Sequence, residues 1–195
     1  MIALNDFVQD SLNDGQYVAL IILDFKGALD AAWWPSILTS LKTLKCPRNL
    51  YNLCVSYFKE RSAILLLNSR IEQRKISEGC PQGSAFGPAF WNLQCNSLLN
   101  LECAKYTKVI AYANDLMILN TGKTQVQVQN YANIETQKIA TWARDNKIIF
   151  NGQKSKLMTL TRRKPKIKRD FKIYLNNKKL QVYTIKYLGL IINKI

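Results

Sequence analysis

A chain of 195 residues with 48% hydrophobic composition can bury a sizeable core as one compact domain, and no apolar run in it is long enough to span a bilayer. The net charge of +15 lies almost wholly beyond residue 100, where nineteen lysines and arginines face five carboxylates, against nine facing eight before it; such asymmetry points to a polyanion-facing surface. There is no histidine, and the five cysteines contain no Cys-x-x-Cys pair, which excludes Ser-His-Asp and Cys-His catalysis, disfavours zinc and leaves reduced thiols packed as small hydrophobes.

Ile2 to Asn13 has helical apolar spacing with Gly15 as a stop, and Tyr17 to Leu23 is a near-continuous apolar run that reads as a buried strand delivering Asp24 at its end. After Phe25-Lys26-Gly27-Ala28-Leu29-Asp30, the stretch Ala28 to Lys45 reads as helix with a break or new start at Trp33-Trp34-Pro35, whose tryptophans read as core anchors. Pro47 opens a helix to about Phe58, and Ser62 to Leu67 with Arg70 to Ile76 form a hairpin across Asn68-Ser69. Gly79-Cys80-Pro81-Gln82-Gly83-Ser84-Ala85-Phe86-Gly87-Pro88 is a rigid, exposed loop, and a helix runs from it to about Cys103. Val109 to Ala113 and Leu116 to Leu119 read as strands with Asn114-Asp115 at the turn. Thr124 to Asn146 reads as an amphipathic helix with Val128, Tyr131, Ile134, Ile139 and Trp142 inward. Leu157 to Thr161, Phe171 to Leu175, Lys178 to Val182 and Thr184 to Ile192 read as short strands, with a tight turn at Asn176-Asn177.

Asn114-Asp115 is ordinary turn chemistry or an acidic tip able to hold a metal ion. Asp24 caps a following helix from a distance or is a second carboxylate of that site; a carboxylate ending an apolar strand is costly unless a cation compensates it. Two such carboxylates on separate strands suit a metal-assisted phosphoryl-transfer centre. Arg162 to Arg169 carries six cations in eight residues, including Arg162, Arg163, Lys164 and Lys166, and reads as a solvated loop, a nuclear-localisation signal or a nucleic-acid contact.

In order and spacing, Asp24 with its Lys-Gly-Ala segment, the Gly-Cys-Pro-Gln-Gly-Ser loop and the Tyr112-Ala113-Asn114-Asp115 tip resemble the reverse transcriptases of non-LTR retrotransposons. The segments Phe150 to Lys156 and Lys186 to Ile191 are similar to two further motifs of that family, so the resemblance runs from about residue 17 to 192. It implies an α+β fold: a right-hand polymerase palm with an antiparallel sheet backed by helices, partial fingers and no complete thumb. Residues 1–195 would form one reverse transcriptase domain, a palm-centred fragment of a larger polyprotein. It also implies an RNA-directed DNA polymerase working on an RNA template, a DNA primer and dNTPs inside the cell, in nucleus or cytoplasm.

Two Mg²⁺ or Mn²⁺ ions would be held by Asp24, the Phe25 carbonyl and Asp115. Lys154 would stand near the pyrophosphate, Leu29, Gln82 and Gly83 near the nucleotide, and Tyr112, Tyr187, Leu188 and Gly189 near the primer. The chain departs from the family pattern at Asn114, where an aspartate is expected, and at Leu29, where an aromatic ring excludes a ribose 2′-hydroxyl. The first departure implies weaker metal binding and makes a catalytically silent nucleic-acid-binding palm the alternative. A basic module of RRM-like topology is disfavoured by the motif order and by the lack of its aromatic-rich signature.

Overall fold

The computed structural model describes residues 2–67, 70–112, 114–163, 171–182, 185–187 and 190–192, with side chains described between residues 5 and 182. In chain order the elements are α1 (Ile2–Asn13), β1 (Tyr17–Asp24), α2 (Trp34–Thr43), α3 (Arg48–Phe58), β2 (Ser62–Leu67), β3 (Arg70–Lys75), α4 (Gly87–Leu99), β4 (Thr107–Tyr112), β5 (Asp115–Gly122), α5 (Gln125–Asp145), β6 (Lys156–Leu160), β7 (Tyr174–Leu175), β8 (Lys178–Lys179), β9 (Ile185–Tyr187) and β10 (Leu190–Ile192). They pack as two compact units, one of Met1–Phe25, Leu101–Asp145 and Ile149–Ile195, the other of Lys26–Asn100 and Asn146–Ile148.

The first unit is built on a sheet of order β4-β5-β1-β6 in which every neighbouring pair is antiparallel. Its central strands read as unbroken apolar runs because both faces are covered, whereas a sheet wetted on one side would alternate. On one face Val18, Leu20 and Ile22 pack with Met117, Leu119, Met158 and Leu160 against Leu12, Phe7 and Val8 of α1. The other face, with Ala19, Ile21, Leu23, Leu116 and Ile118 fully buried, lies under α5. A Cβ on Gly122 would meet Val128 Cγ2 of that helix at 3.1 Å, so the missing side chain permits the close approach of α5 to the end of β5.

The buried stripe of α5 is Val128, Ala132, Glu135, Thr136, Ile139, Trp142 and Ala143. Ile134, expected inward, is 54% exposed: six residues on from Val128 is 600°, on the opposite side of a 3.6-residue helix. The polar Glu135 takes the inward place with one carboxylate oxygen paired, its Oε1 accepting the Ala104 N–H at 3.1 Å and pairing with Lys138 at 3.1 Å, while its Oε2 is buried without a hydrogen-bond partner among the described residues.

The second unit packs α2 against α3 and α4. Trp34 stacks on Phe58 at 5.0 Å and donates its indole N–H to the Gly79 carbonyl at 2.8 Å, so it is the core anchor expected. No helix starts at Ala28: residues 26–31 form turns, and α2 begins at Trp34 with Pro35 in its first turn, where the missing N–H costs nothing. The helix after the glycine loop ends at Leu99, four residues short of Cys103. In this unit β2 and β3 pair along their full length with every residue exposed; the Asn68-Ser69 turn expected between them lies outside the described residues. All five cysteines are free; Cys80 and Cys95 are buried, and burial pushes the Cys95 thiol up to about 12.

Asn176 and Asn177 have positive φ of 49° and 62° and make the tight turn between β7 and β8, which are shorter than the runs expected there. The last expected strand divides into β9 and β10, which pair with each other.

Leu20→Ala, at a fully buried position between α1 and the sheet, is expected to cost about 2–5 kcal/mol. Ile64→Ser, at a 67% exposed position of β2, should change stability by roughly 0.5 kcal/mol or less. Urea unfolding monitored by circular dichroism checks both values.

Candidate active site

The register of β1 on β5 runs without a break from Tyr17 opposite Gly122 to Asp24 opposite Asp115. The Phe25 N–H donates to the Asn114 carbonyl at 3.1 Å, which makes Phe25 and Asn114 a hydrogen-bonded pair and Asp24 and Asp115 the closer, non-hydrogen-bonded kind. In such pairs the Cα atoms are about 4.5 Å apart and the side chains leave the same face of the sheet. That face is the α1 face, since Asp24 shares the parity of Val18, Leu20 and Ile22, and Asp115 that of Met117 and Leu119. Two carboxylates thus meet just past the end of the apolar cluster.

The hairpin turns one residue earlier than its sequence suggests. Tyr112 pairs with Asp115, so Asp115 opens β5 and Asn114 belongs to the turn. Asn114 is exposed, and so is Tyr112, at 59%. The shift matters because a strand residue has a fixed face and a fixed partner.

Lys154 comes to the same place through a local network centred on Asn151. The Asn151 N–H donates to the Asp24 carbonyl at 2.8 Å, while the Asn151 carbonyl accepts the Ser155 hydroxyl at 2.8 Å and the Lys154 and Ser155 N–H groups at 3.2 and 2.9 Å. The turn so formed brings Lys154 Nζ to 4.0 Å from Asp24 Oδ1. Phe25 is seated by its bridge to Phe150, the two rings 5.1 Å apart. Burial raises the Asp115 carboxyl above its ordinary value, the facing Asp24 raises it further, and Lys154 offsets part of this. Half-buried, mutually repelling carboxylates with a single cation at long range form a site that a hard divalent ion would relieve. Asp24, Asp115 and backbone oxygens therefore fit such an ion. No cluster of three or more His, Cys, Asp or Glu side chains placed to hold a metal occurs among the described residues.

In the second unit the glycine loop is laid along the segment that follows β1. The Gly79 and Cys80 N–H groups donate to the Ala32 and Leu29 carbonyls at 2.7 and 2.8 Å. Gly79 has φ 90°, and a Cβ there would lie 2.8 Å from the Asp30 carbonyl oxygen, so glycine is required. Gln82 Nε2 reaches Asp30 Oδ1 at 3.2 Å, and Gly83, at φ 80°, has open space where a side chain would stand. Leu29, Gln82 and Gly83 are thus brought to neighbouring backbone.

Asp30 and Asn151 carry structural roles that their sequence motifs contain but spacing alone does not reveal. Arg162 and Arg163 are placed elsewhere. Arg162 bonds Asn13 and Gln9 of α1, and Arg163 lies over Tyr17 at the far end of β1, about 23 Å from Asp24 at the usual strand rise. Tyr187 ends β9, while Leu188, Gly189, Lys164 and Lys166 lie outside the described residues.

Residues 3–192 match the family described as reverse transcriptase (RNA-dependent DNA polymerase). The chain belongs to that family. Over 92% of its length it is 28% identical to a 115 kDa protein in the type-1 retrotransposable element R1DM of Drosophila melanogaster, of which it spans only 17%. It is 25% identical, over 97% of its length and 21% of that protein's, to the RNA-directed DNA polymerase from mobile element jockey of Drosophila funebris. The fold is shared with apo telomerase from Candida tropicalis truncated from its C-terminal domain, at a TM-score of 0.64 and 11% identity over 81% of this chain and 34% of that one. The four-stranded sheet with its facing carboxylates is therefore a polymerase palm, and the resemblance to non-LTR retrotransposon reverse transcriptases holds. The family generally uses divalent metal ions.

The raised Asp115 carboxyl has a testable consequence for the metal-free reverse transcriptase chain. A carboxyl whose folded value exceeds its unfolded one favours folding while protonated, and that contribution is lost as pH rises through the folded value. In EDTA at pH 7, Asp115→Asn should therefore melt higher than the parent, and the gap should close as pH falls into the ordinary carboxylate range. Excess Mn²⁺ should reverse the order by stabilising only the parent. Differential scanning fluorimetry at both pH values measures all of this.

Proposed function

We propose that this chain is the nucleotidyl-transfer palm of an RNA-directed DNA polymerase encoded by a retrotransposable element, a type of enzyme that extends a DNA primer with dNTPs on an RNA template inside the cell, in nucleus or cytoplasm, with the activity impaired here by Asn114. The observation that carries the reading is the facing pair Asp24 and Asp115 with Lys154 at 4.0 Å from Asp24. Asp24, the Phe25 carbonyl and Asp115 would hold two Mg²⁺ or Mn²⁺ ions. Bound there, such ions supply the acidification of the primer 3′-hydroxyl and the neutralisation of the triphosphate.

The rest of the chemistry falls to the chain's own groups. Lys154, 69% exposed and tethered through Asn151, would stabilise the departing pyrophosphate as a cation or proton donor. Leu29 would lie against the nucleotide sugar, and being smaller than an aromatic ring it would exclude a 2′-hydroxyl less strictly. Gln82, held by Asp30, and Gly83, with no side chain to obstruct approach, would meet template and incoming base. Tyr112, Tyr187, Leu188 and Gly189 would hold the primer end. Arg162, Arg163, Lys164 and Lys166 would contact the nucleic-acid backbone. Residues 1–195 would act as one reverse transcriptase domain within a larger polyprotein, consistent with the small share of its relatives that the chain spans.

One observation favours a second reading. Asn114 keeps an acceptor oxygen in the turn but brings no charge, so the site has two carboxylates where the family pattern has three, and a catalytically silent nucleic-acid-binding palm is the alternative. Primer extension on an RNA template with Mg²⁺ or Mn²⁺ separates the two. The unmodified chain is expected to extend little or not at all. Asn114→Asp, nearly isosteric, is expected to tighten Mn²⁺ binding, since the charge count of the ligands tunes a divalent site, and to raise extension. Asp24→Asn should abolish both. Robust extension by the unmodified chain that Asp24→Asn removes would eliminate the silent reading, and absence of Mn²⁺ binding in all three proteins would overturn the metal-dependent one.

A further inference from the structure

At the end of the palm sheet remote from Asp24 lies a recess of about 230 Å³, lined by Gln16, Tyr106, Gly122, Lys123, Gln127 and Tyr131. Every one of these residues belongs to the first unit. Tyr106 stacks on Tyr131, ring centroids 5.8 Å apart and planes 17° from parallel, yet Tyr106 stays 46% exposed. Its ring is therefore held by an offset stack on a second ring and still keeps much of its surface open to solvent. Besides the two tyrosines, the polar lining is one cation and two amides, with no carboxylate. Gln127 Oε1 accepts the Lys123 N–H at 3.2 Å, which turns its amide N–H₂ toward other acceptors. At the rim, Arg163 donates to the Lys123 carbonyl at 3.2 Å and stands beside Gly15 and over the Tyr17 ring at 5.9 Å, so a second positive charge is fixed next to Lys123. Gly122 lets α5 come close enough to form one wall of the recess, since a Cβ there would lie 3.1 Å from Val128 and 3.3 Å from Gln127.

A rigid aromatic face, donors able to read a base edge and two cations spaced along one rim are the parts with which proteins hold unpaired nucleotides. A paired duplex buries its base faces and could use only the cations. We propose that this recess is a second nucleic-acid site, specific for an unpaired nucleotide of an RNA or DNA strand, which stacks its base on Tyr106 and sets its phosphates against Lys123 and Arg163. It lies about 23 Å from the carboxylate pair, the length of β1 at the usual strand rise, and is separate from the primer end. The site gives the proposed backbone contact of Arg163 a definite place. It shares with the polymerase reading only the premise that the chain meets nucleic acid.

The test is equilibrium binding by fluorescence anisotropy of the full chain to a 12-nucleotide oligouridylate, to oligothymidylate of the same length and to a fully paired RNA–DNA hybrid, in several salt concentrations. Tyr106→Leu should weaken both single strands roughly 5- to 100-fold, the effect of removing one base–aromatic stack, and leave hybrid affinity within about twofold. Tyr106→Phe should bind like the parent. Lys123→Gln should lower the slope of log affinity against log salt by about 0.7 for single strands, as the loss of one phosphate contact does. A 4-thiouridine within the oligouridylate should photo-crosslink to the Tyr106 or Tyr131 peptide. Unequal losses for the two single strands would assign the site to RNA or to DNA within the proposal. Unchanged single-strand affinity in both Tyr106→Leu and Lys123→Gln, equal losses for strand and hybrid, or a crosslink confined to other peptides would overturn it.

Discussion

The antiparallel register between β1 and β5 is the constraint on which the candidate site depends. One pairing, held along eight residue pairs, sets Asp24 opposite Asp115 and sends both carboxylates out of the α1 face. A slip of one residue would turn every side chain of a strand to the other face, taking Asp115 away from Asp24 and Met117 and Leu119 out of the core together. Core packing and the site are thus fixed by the same choice. The fully buried runs on both strands make that register costly to leave, which is how an apolar core specifies a polar geometry at its edge.

What the core stabilises, the site spends in part. Two carboxylates in a close cross-strand pair repel, and the cation nearest to them, Lys154, is held at 4.0 Å on a largely exposed side chain. The chain compensates by fastening the backbone around the pair. Asn114 and Asn151 each bond the Asp24–Phe25 backbone from opposite sides, and the Phe25–Phe150 contact closes the same edge. Like charge held by rigid backbone is a common condition of metal-dependent sites, where the apo state is strained and the ligand supplies the missing compensation. Asn114 reduces that strain, and with it the attraction for a divalent ion.

Much of this was legible in the sequence, and the rest was not for identifiable reasons. Apolar runs announce β1, β4, β5 and β6, and helical spacing announces α1 and α5, because burial on one face or two leaves a period in the chain; Pro47 announces α3. The glycine loop and the two strand-end aspartates were also visible. The sequence puts both Asn114 and Asp115 in the turn because each is a good turn residue, and only the cross-strand register, with Tyr112 opposite Asp115, puts Asp115 in the strand. The sequence reads as helix from Ala28 because Ala28 and Leu29 favour one, while the loop that bonds the Leu29 and Ala32 carbonyls, at Gly79 and Cys80, is some fifty residues away. Hydrophobicity alone puts Ile134 inward, whereas the helix turns the neighbouring Glu135 to the buried side, where its Oε1 accepts the Ala104 N–H. Asn151 acts through backbone bonds that no side-chain pattern advertises, and the recess under Tyr106 is assembled from the ends of separate elements.

The most direct test of the facing-carboxylate site is crystallographic. Crystals of the unmodified chain soaked in Mn²⁺, with data collected at the manganese edge, should show an anomalous peak within about 2–2.5 Å of carboxylate oxygens of both Asp24 and Asp115, and crystals of Asp24→Asn should lack it. A peak bound elsewhere, or none at a concentration that occupies other sites, would contradict the reading of this pair as a divalent-metal site.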